Sequence, residues 1–201
     1  MYKKFIKRIL DIIGALFLFI VLSPFMLLLC IVLLFYNKGT IFFTQLRPGK
    51  NEQPFLLYKF CTMETITKEE DGSETESITP LGNILRKSSF DEIPQLLNVL
   101  KGEMSLIGPR PLLMEYLPLY SDNQRKRHSV LPGITGWAQI NGRNSISWTE
   151  KFRLDVYYAE NINFWLDLKI LFITFFKVLP GKGVYNEEGK IIEKFKGNKG
   201  L

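Results

Sequence analysis

Ile12-Ile-Gly-Ala-Leu-Phe-Leu-Phe-Ile-Val-Leu-Ser-Pro-Phe-Met-Leu-Leu-Leu-Cys-Ile-Val-Leu-Leu-Phe-Tyr36 carries no charge, holds Ser23-Pro24 near its middle and has basic residues on both sides. A run of about 25 residues is long enough to cross a hydrocarbon core of roughly 30 Å as a helix. Pro24 has no N–H, and its ring crowds the carbonyl four residues back, so a kink is expected there. Each arm about that kink is close to half a bilayer. The stretch therefore reads either as a straight membrane anchor with a tolerated proline or as a helix that enters and returns.

The flanks favour the second reading. Lys3, Lys4, Lys7 and Arg8 precede the run, and Lys38, Arg47, Lys50 and Lys59 follow it. Both flanks prefer the cytoplasmic side, which a single crossing cannot satisfy and a kinked re-entrant helix can. The Ser23 hydroxyl can bond back to a carbonyl freed near the bend. A secretory signal fits poorly, because the run is too long and no small-residue cleavage signature follows. Two cysteines, Cys30 and Cys61, offer no disulfide framework, and a net charge of +6 suits an anionic cytoplasmic leaflet.

The remaining chain is one domain's worth, without repeats. Ile41 to Leu46 and Pro54 to Phe60 read as short strands around a bend at Arg47-Pro-Gly49. Glu64 to Ser77 is polar and acidic and reads as a surface loop with an Asp71-Gly72 turn. A short helix is expected after Pro80, and Ser88 or Ser89 is expected to cap the next, which stops near Gly102. A charged helical stretch is expected from Leu113 to His128, and a shaped loop from Leu131 to Arg143. Trp148 to Phe176 has helical periodicity broken at Asn161-Ile-Asn163. Its apolar second half, Trp165 to Phe176, is interrupted by Asp167 and Lys169. That half fits an interfacial helix or a buried amphipathic one equally.

Asp91-Glu92 is the pair that invites chemistry. Adjacent helical carboxylates point about 100° apart, which suits two roles better than one joint clamp. One can attack while the other positions a metal or moves a proton. Simple charge complementarity at a helix start is the bland alternative. Arg86 and Lys87 lie just upstream, Arg110 is fixed between Pro109 and Pro111, and Arg47 and Arg143 stand in similar turns. Planar guanidinium forks held in stiff turns suit phosphate, so these residues together resemble a site for a substrate with several phosphates. An ionised aspartate needs no strong base to attack phosphorus, and Mg²⁺ or Mn²⁺ would neutralise the phosphate oxygens. Glu103 and Asp155 are further acidic candidates. His128 is the one histidine, so neither a zinc cluster nor a Ser-His-Asp triad has support. No nucleic-acid-binding module is recognisable, and the basic residues are scattered.

Several segments together resemble the bacterial sugar transferase family, the monotopic phosphoglycosyl transferases. They are Lys7 to Ile12, Arg47-Pro-Gly49, Leu85 to Pro111, Pro132 to Arg143 and Leu154-Asp-Val-Tyr-Tyr158. The resemblance implies that Asp91 attacks the β-phosphate of a UDP-sugar, releasing UMP and leaving a phosphosugar on the aspartate. Undecaprenyl phosphate then takes the phosphosugar. Glu92 is implied as the partner that deprotonates the lipid phosphate or, with Asp91, organises Mg²⁺, for which Mn²⁺ can substitute. Arg47, Arg86, Lys87, Arg110, Arg143 and Asp155 are the implied substrate-binding set, and Ser23-Pro24 matches the family's re-entrant kink. The implied partners are the donor, the lipid acceptor, anionic lipids, downstream glycosyltransferases and a second copy of the chain, with no nucleic acid. Glycoconjugate assembly at the cytoplasmic face of the bacterial inner membrane is the implied setting, and the sugar itself is not legible.

One departure stands out: Cys61 occupies a position where the family commonly has arginine, and a thiol cannot replace that charge. Glu103 stands where aspartate is frequent, with the carboxylate kept. The fold expected is α+β, a mostly helical cytoplasmic catalytic domain with short strands over 39–180. A kinked re-entrant membrane helix within 1–38 and interfacial amphipathic helices anchor it. A basic, loosely ordered tail is expected over 181–201.

Overall fold

A π-helical turn, Tyr2–Ile6, leads into helix α1, Lys7–Tyr36, which contains the whole uncharged run. The structure is a computed structural model and describes residues 2–68, 74–142, 145–178 and 194–197. Within α1 the missing N–H of Pro24 leaves the Ile20 carbonyl without its helical donor. Ser23 replaces it, its hydroxyl donating to that oxygen at 2.7 Å. The helix is accordingly hydrogen-bonded as one element through the proline. Ala15, Met26, Leu29 and Leu33 face the protein, whereas Phe17, Ile20, Leu27, Leu28 and Phe35 are exposed. Among the described residues α1 is the one helix long and apolar enough to cross a membrane by length and composition.

Both ends of α1 are tied to the same folded unit. At its start Lys7 is buried, with Nζ 2.9 Å from Asp167 and 3.8 Å from Asp11. Tyr2 and Tyr158 also donate to the Asp167 carboxylate. Arg8 donates to the carbonyls of Val99 and Leu100, at 2.7 and 3.2 Å. Lys3 donates to the Ala159 carbonyl at 3.1 Å. At the other end Asn37 donates to the Cys61 carbonyl at 3.0 Å. This revises the sequence reading of the N-terminal flank: Lys3, Lys7 and Arg8 satisfy protein acceptors. Burying Lys7 is tolerable because two carboxylates surround it.

Strands β1 (Phe42–Pro48) and β2 (Pro54–Phe60) form the expected antiparallel hairpin, from Phe42 opposite Phe60 to Pro48 opposite Pro54. The acidic segment that follows is a second hairpin rather than a loop. Strands β3 (Met63–Lys68) and β4 (Glu74–Ile78) pair antiparallel, with an irregularity between Thr65 and Thr67. β-branched Thr65, Ile66, Thr67 and Thr75 supply strand propensity that the polar composition disguised. The Asp71-Gly72 turn lies outside the described residues.

Helix α2 (Pro80–Ser88) opens with proline at its first position and with the Thr79 hydroxyl accepting from the Gly82 N–H at 2.9 Å. Helix α3 (Gln95–Lys101) ends at Gly102, where φ of 92° suits glycine. Strand β5 (Ser105–Ile107) then pairs in parallel with β6 (Gly133–Thr135). At the exit of β5 the chains touch, and a Cβ on Gly108 would lie 2.4 Å from the Leu131 carbonyl oxygen. Gly108→Ala is therefore expected to cost about 3 kcal/mol, the upper part of the overpacking range, because a backbone atom cannot rotate aside. Thermal melting of the purified variant measures it.

Where one charged helix was expected from Leu113 to His128, the chain makes three short pieces: a 3-10 helix Met114–Leu119, helix α4 (Asp122–Arg125) and a 3-10 helix Lys126–Ser129. Pro118 and a Ser121/Gln124 capping box restart the chain there. The shaped loop after Leu131 contains β6 and helix α5 (Trp137–Ile140).

Helices α6 (Trp148–Asn161) and α7 (Phe164–Val178) divide where expected, with the Asn163 side chain accepting from the Leu166 N–H at 3.0 Å. On α7, Asp167 and Ile170 are buried, while Phe164, Trp165, Leu168, Leu171, Phe172, Phe175 and Phe176 are exposed. A narrow stripe thus packs and a broad aromatic face does not. Most of the tail expected to be loosely ordered lies outside the described residues. Its Phe195 is buried among Tyr116, Tyr120, Trp148 and Phe152.

Candidate active site

Asp91 and Glu92 lie on a 3-10 turn, Phe90–Glu92, between α2 and α3. Ser89 sets the turn: it caps α2 in the left-handed region at φ 59°, a conformation uncommon for a side chain other than glycine. Ser88 and Ser89 therefore do not cap the following helix, as the sequence suggested. Ser88 instead donates to the carbonyls of Ile84 and Leu85. With about three residues per turn, the two carboxylates still diverge. Phe90 packs edge-on against Phe25, the residue after Pro24, at 4.9 Å between ring centroids. The catalytic candidates thus sit beside the proline of the apolar helix.

The carboxylates differ sharply in their partners. Glu92 receives Lys59 at 2.8 Å and both terminal nitrogens of Arg110, one at 3.2 Å. Asp91 accepts no hydrogen bond among the described residues, and its closest cation is Lys59 at 3.6 Å. Burial opposes ionisation of Glu92, but Arg110 and Lys59 outweigh it and hold its carboxyl below the usual range. For Asp91 burial prevails: its carboxyl is raised, with Lys59 opposing and the neighbouring Glu92 adding to the rise. One carboxylate is clamped and the other is held near charge without being tied by hydrogen bonds. That is the division of labour expected of a nucleophile and its organiser.

The other candidates fall into three groups. Arg86 donates through Nε to Thr62 at 2.8 Å and contributes its field to Asp91. Arg110 is spent on Glu92, although its side chain stays 43% exposed and so remains reachable. Arg47 enters from β1, where its Nε is buried with no partner among the described residues. Asp155 belongs to a support layer. It is 2% exposed and bound by Arg127 at 2.7 Å, and Arg127 also donates to the Arg110 carbonyl at 2.7 Å. Through Arg127, Asp155 is linked to the Arg110 turn. Lys87 is exposed in the last turn of α2. Arg143 lies outside the described residues.

Lys59 and Arg127 were not singled out by the sequence. Lys59 looked like one more basic residue of the flank, and only the strand pairing turns it toward the turn. His128 is buried with Nδ1 3.2 Å from the Gly49 carbonyl, and burial and then Arg127 lower it to about 4. Burial thus favours its neutral form. The Cys61 thiol donates to the Met63 carbonyl at 3.3 Å.

Against this charged cluster opens an apolar groove of about 270 Å³. Leu18 and Leu22 of α1, Leu96 of α3, Leu106 of β5 and Leu171 of α7 line it, together with Phe90 and Glu92 of the carboxylate turn. The arrangement can hold a phosphorylated group and an apolar chain side by side.

The bacterial sugar transferase family matches residues 2–181, and the chain belongs to it. The uncharacterized sugar transferase EpsL of Bacillus subtilis (strain 168) is 50% identical over 196 residues, covering 96% of each chain. The UDP-glucose:undecaprenyl-phosphate glucose-1-phosphate transferase of Escherichia coli (strain K12) is 34% identical over 195 residues, covering 91% of this chain and 42% of that one. A UDP-N-acetylgalactosamine-undecaprenyl-phosphate N-acetylgalactosaminephosphotransferase of Aeromonas hydrophila is 36% identical over 190 residues, covering 89% of this chain and 45% of that one. The chain thus spans under half the length of both of these larger transferases.

Proposed function

We propose that the protein transfers a sugar-1-phosphate from a UDP-sugar to undecaprenyl phosphate, releasing UMP and forming the undecaprenyl-diphosphate-sugar that starts a surface glycan. The observation that carries this reading is the position of the Asp91–Glu92 turn between a cationic cluster and an apolar groove, one suited to a diphosphate and the other to a prenyl chain. The donor names of the related transferases support the same reading.

In the proposed route Asp91 attacks the β-phosphorus, the bond to the bridging oxygen breaks, and its electron pair leaves with UMP. The acceptor phosphate then attacks the aspartyl-linked phosphosugar and regenerates the carboxylate. Glu92 keeps Lys59 and Arg110 aimed at the phosphate. Arg86 adds charge, and Arg127 and Asp155 hold the turn that carries Arg110. The donor set fits a Mg²⁺ that brings most of its ligands with it. Oε2 of Glu92 accepts one bond and keeps a lone pair, and Asp91 is untied. Asp91 and Glu92 would hold the ion, which when bound neutralises phosphate oxygens.

A cytoplasmic-face, re-entrant placement is supported by the docking of both ends of α1 on one domain. A straight crossing would carry one of those ends away from it, or draw charged residues into hydrocarbon. The exposed aromatic face of α7 suits the headgroup layer. The test is UMP release by the purified full chain with undecaprenyl phosphate, Mg²⁺ and a panel of UDP-sugars. Release with at least one donor, dependent on the acceptor for turnover, is expected; none with any donor would overturn the reading.

Asp91 must be ionised to attack, and its carboxyl is raised by burial. The acid limb of the kcat/KM profile is therefore expected above the ordinary aspartate value of about 3.9. Glu92 is depressed, so its contribution to stability is full above the ordinary carboxylate range and is lost only as pH falls through its lowered value. Activity should fail on acidification before the fold does, which parallel rate and melting profiles can check.

A further inference from the structure

Glu103, an acidic candidate that the proposed route does not use, stands just after the Gly102 stop of α3. Its Oε2 accepts from the Asn98 amide nitrogen at 2.7 Å. Asn98 is fully buried and committed through every polar atom of its side chain. Nδ2 also donates to the Leu56 carbonyl at 2.7 Å, and Oδ1 accepts from the Tyr58 N–H at 3.1 Å. One side chain therefore pairs with β2 on either side of Leu57, as a neighbouring strand would. The Asn98 carbonyl in turn accepts from the N–H groups of Glu103 and Met104, at 3.0 and 3.2 Å. Lys101 adds to the grip, donating to the Tyr58 hydroxyl at 2.7 Å.

The residue after Tyr58 is Lys59, whose ammonium lies 2.8 Å from Glu92 and 3.6 Å from Asp91. The backbone that carries this cation is thus hydrogen-bonded to the end of α3 immediately before it. Glu103 sets the sense of that bonding. A carboxylate accepts and does not donate, so it selects the Asn98 orientation that presents Nδ2 to Glu103 and to the Leu56 carbonyl, leaving Oδ1 for the Tyr58 N–H. With the amide reversed, donor would face donor at Tyr58 and acceptor would face acceptor at Leu56 and Glu103.

We propose that Asn98 and Glu103 are positioning residues that seat β2 so that Lys59 is shared by the two carboxylates, an inference that rests on the reading in which Lys59 meets the phosphate of the UDP-sugar. Neither residue touches substrate. Glu103 fixes the amide, the amide fixes the strand, and the strand fixes the cation. Misplacing a reacting or orienting group by about 1 Å costs up to about a hundredfold in rate, so the clamp is felt in turnover.

The experiment follows UMP release by the full chain from a radiolabelled donor, with melting temperatures measured in parallel. Glu103→Ala is expected to lower kcat about tenfold and Asn98→Leu about a hundredfold, each with the KM for undecaprenyl phosphate unchanged. Glu103→Asp, which keeps the acceptor, should stay within about threefold of wild type. Glu103 is only half-buried, so its alanine variant carries the test even where Asn98→Leu folds poorly. The decisive comparison repeats both substitutions on a Lys59→Met background. With the cation gone, neither should change the remaining rate by more than about twofold, although Asn98→Leu should still lower the melting temperature. A folded Glu103→Ala protein with wild-type kcat would overturn the proposal. So would losses that persist in full on the Lys59→Met background, which would mark the clamp as a fold element alone. A wild type that releases no UMP from any donor would instead sink the functional reading beneath it.

Discussion

Asp91→Asn is expected to remove sugar-phosphate transfer almost completely, by about 10⁴-fold or more, while leaving the protein folded and at the membrane. The substitution is nearly isosteric, and Asp91 accepts no hydrogen bond among the described residues, so little of the surrounding structure depends on its charge. Lys59 keeps its closer partner, Glu92, at 2.8 Å. The loss should therefore appear in the rate and not in melting temperature, which UMP-release kinetics and thermal melting of the two proteins would separate. The same comparison addresses the rival reading of the chain as a membrane-tethered scaffold, under which cellular function would survive the substitution at an unchanged membrane level.

The largest expected effect on stability lies elsewhere. Asp155→Ala leaves Arg127 buried and uncompensated, since both residues are 2% exposed and paired at 2.7 Å. Breaking such a pair from one side costs about 3–5 kcal/mol, which for a chain of this size lowers the melting temperature by roughly 6–20 °C. Replacing both partners with apolar residues, Asp155→Leu with Arg127→Met, should recover much of that stability. It should not recover activity, because the Arg110 carbonyl would still lack the donor that holds its turn. Melting curves in detergent, read beside transfer rates, distinguish the two consequences.

The apolar run, the first hairpin, the α2 start behind Pro80, the Gly102 stop and the break at Asn161–Asn163 were all legible in the sequence. Each rests on local chemistry: an uncharged stretch, a proline, a glycine, a capping side chain. The β3–β4 hairpin was hidden because polar strands with little to bury lack the alternation that marks strands in sequence. The Leu113–His128 region misled because charge composition outweighed Pro118 and the Ser121 cap.

At the site, the residue types were legible and their partnerships were not. Arg110 looked like a free phosphate fork and is instead engaged with Glu92. Asp155 looked like a substrate contact and supports the turn from beneath. Lys7 and Arg8 read as part of a basic flank that prefers the cytoplasmic side, and they are also ties that hold α1 in place. Lys59 and Asn98 carry no local signal at all. Their relevance arises from strand register and helix packing that bring residues far apart in the chain together.

The covalent step is the centre of the account, and the mass of the protein after exposure to donor without acceptor tests it most directly. Incubation with the UDP-sugar that supports UMP release, in the absence of undecaprenyl phosphate, should add one sugar phosphate to the peptide containing Asp91. It should yield one equivalent of UMP, and the adduct should disappear when the lipid phosphate is added. UMP formed only when the acceptor is present, with no adduct on wild type at any time, would contradict the aspartyl route and require direct attack by the lipid phosphate.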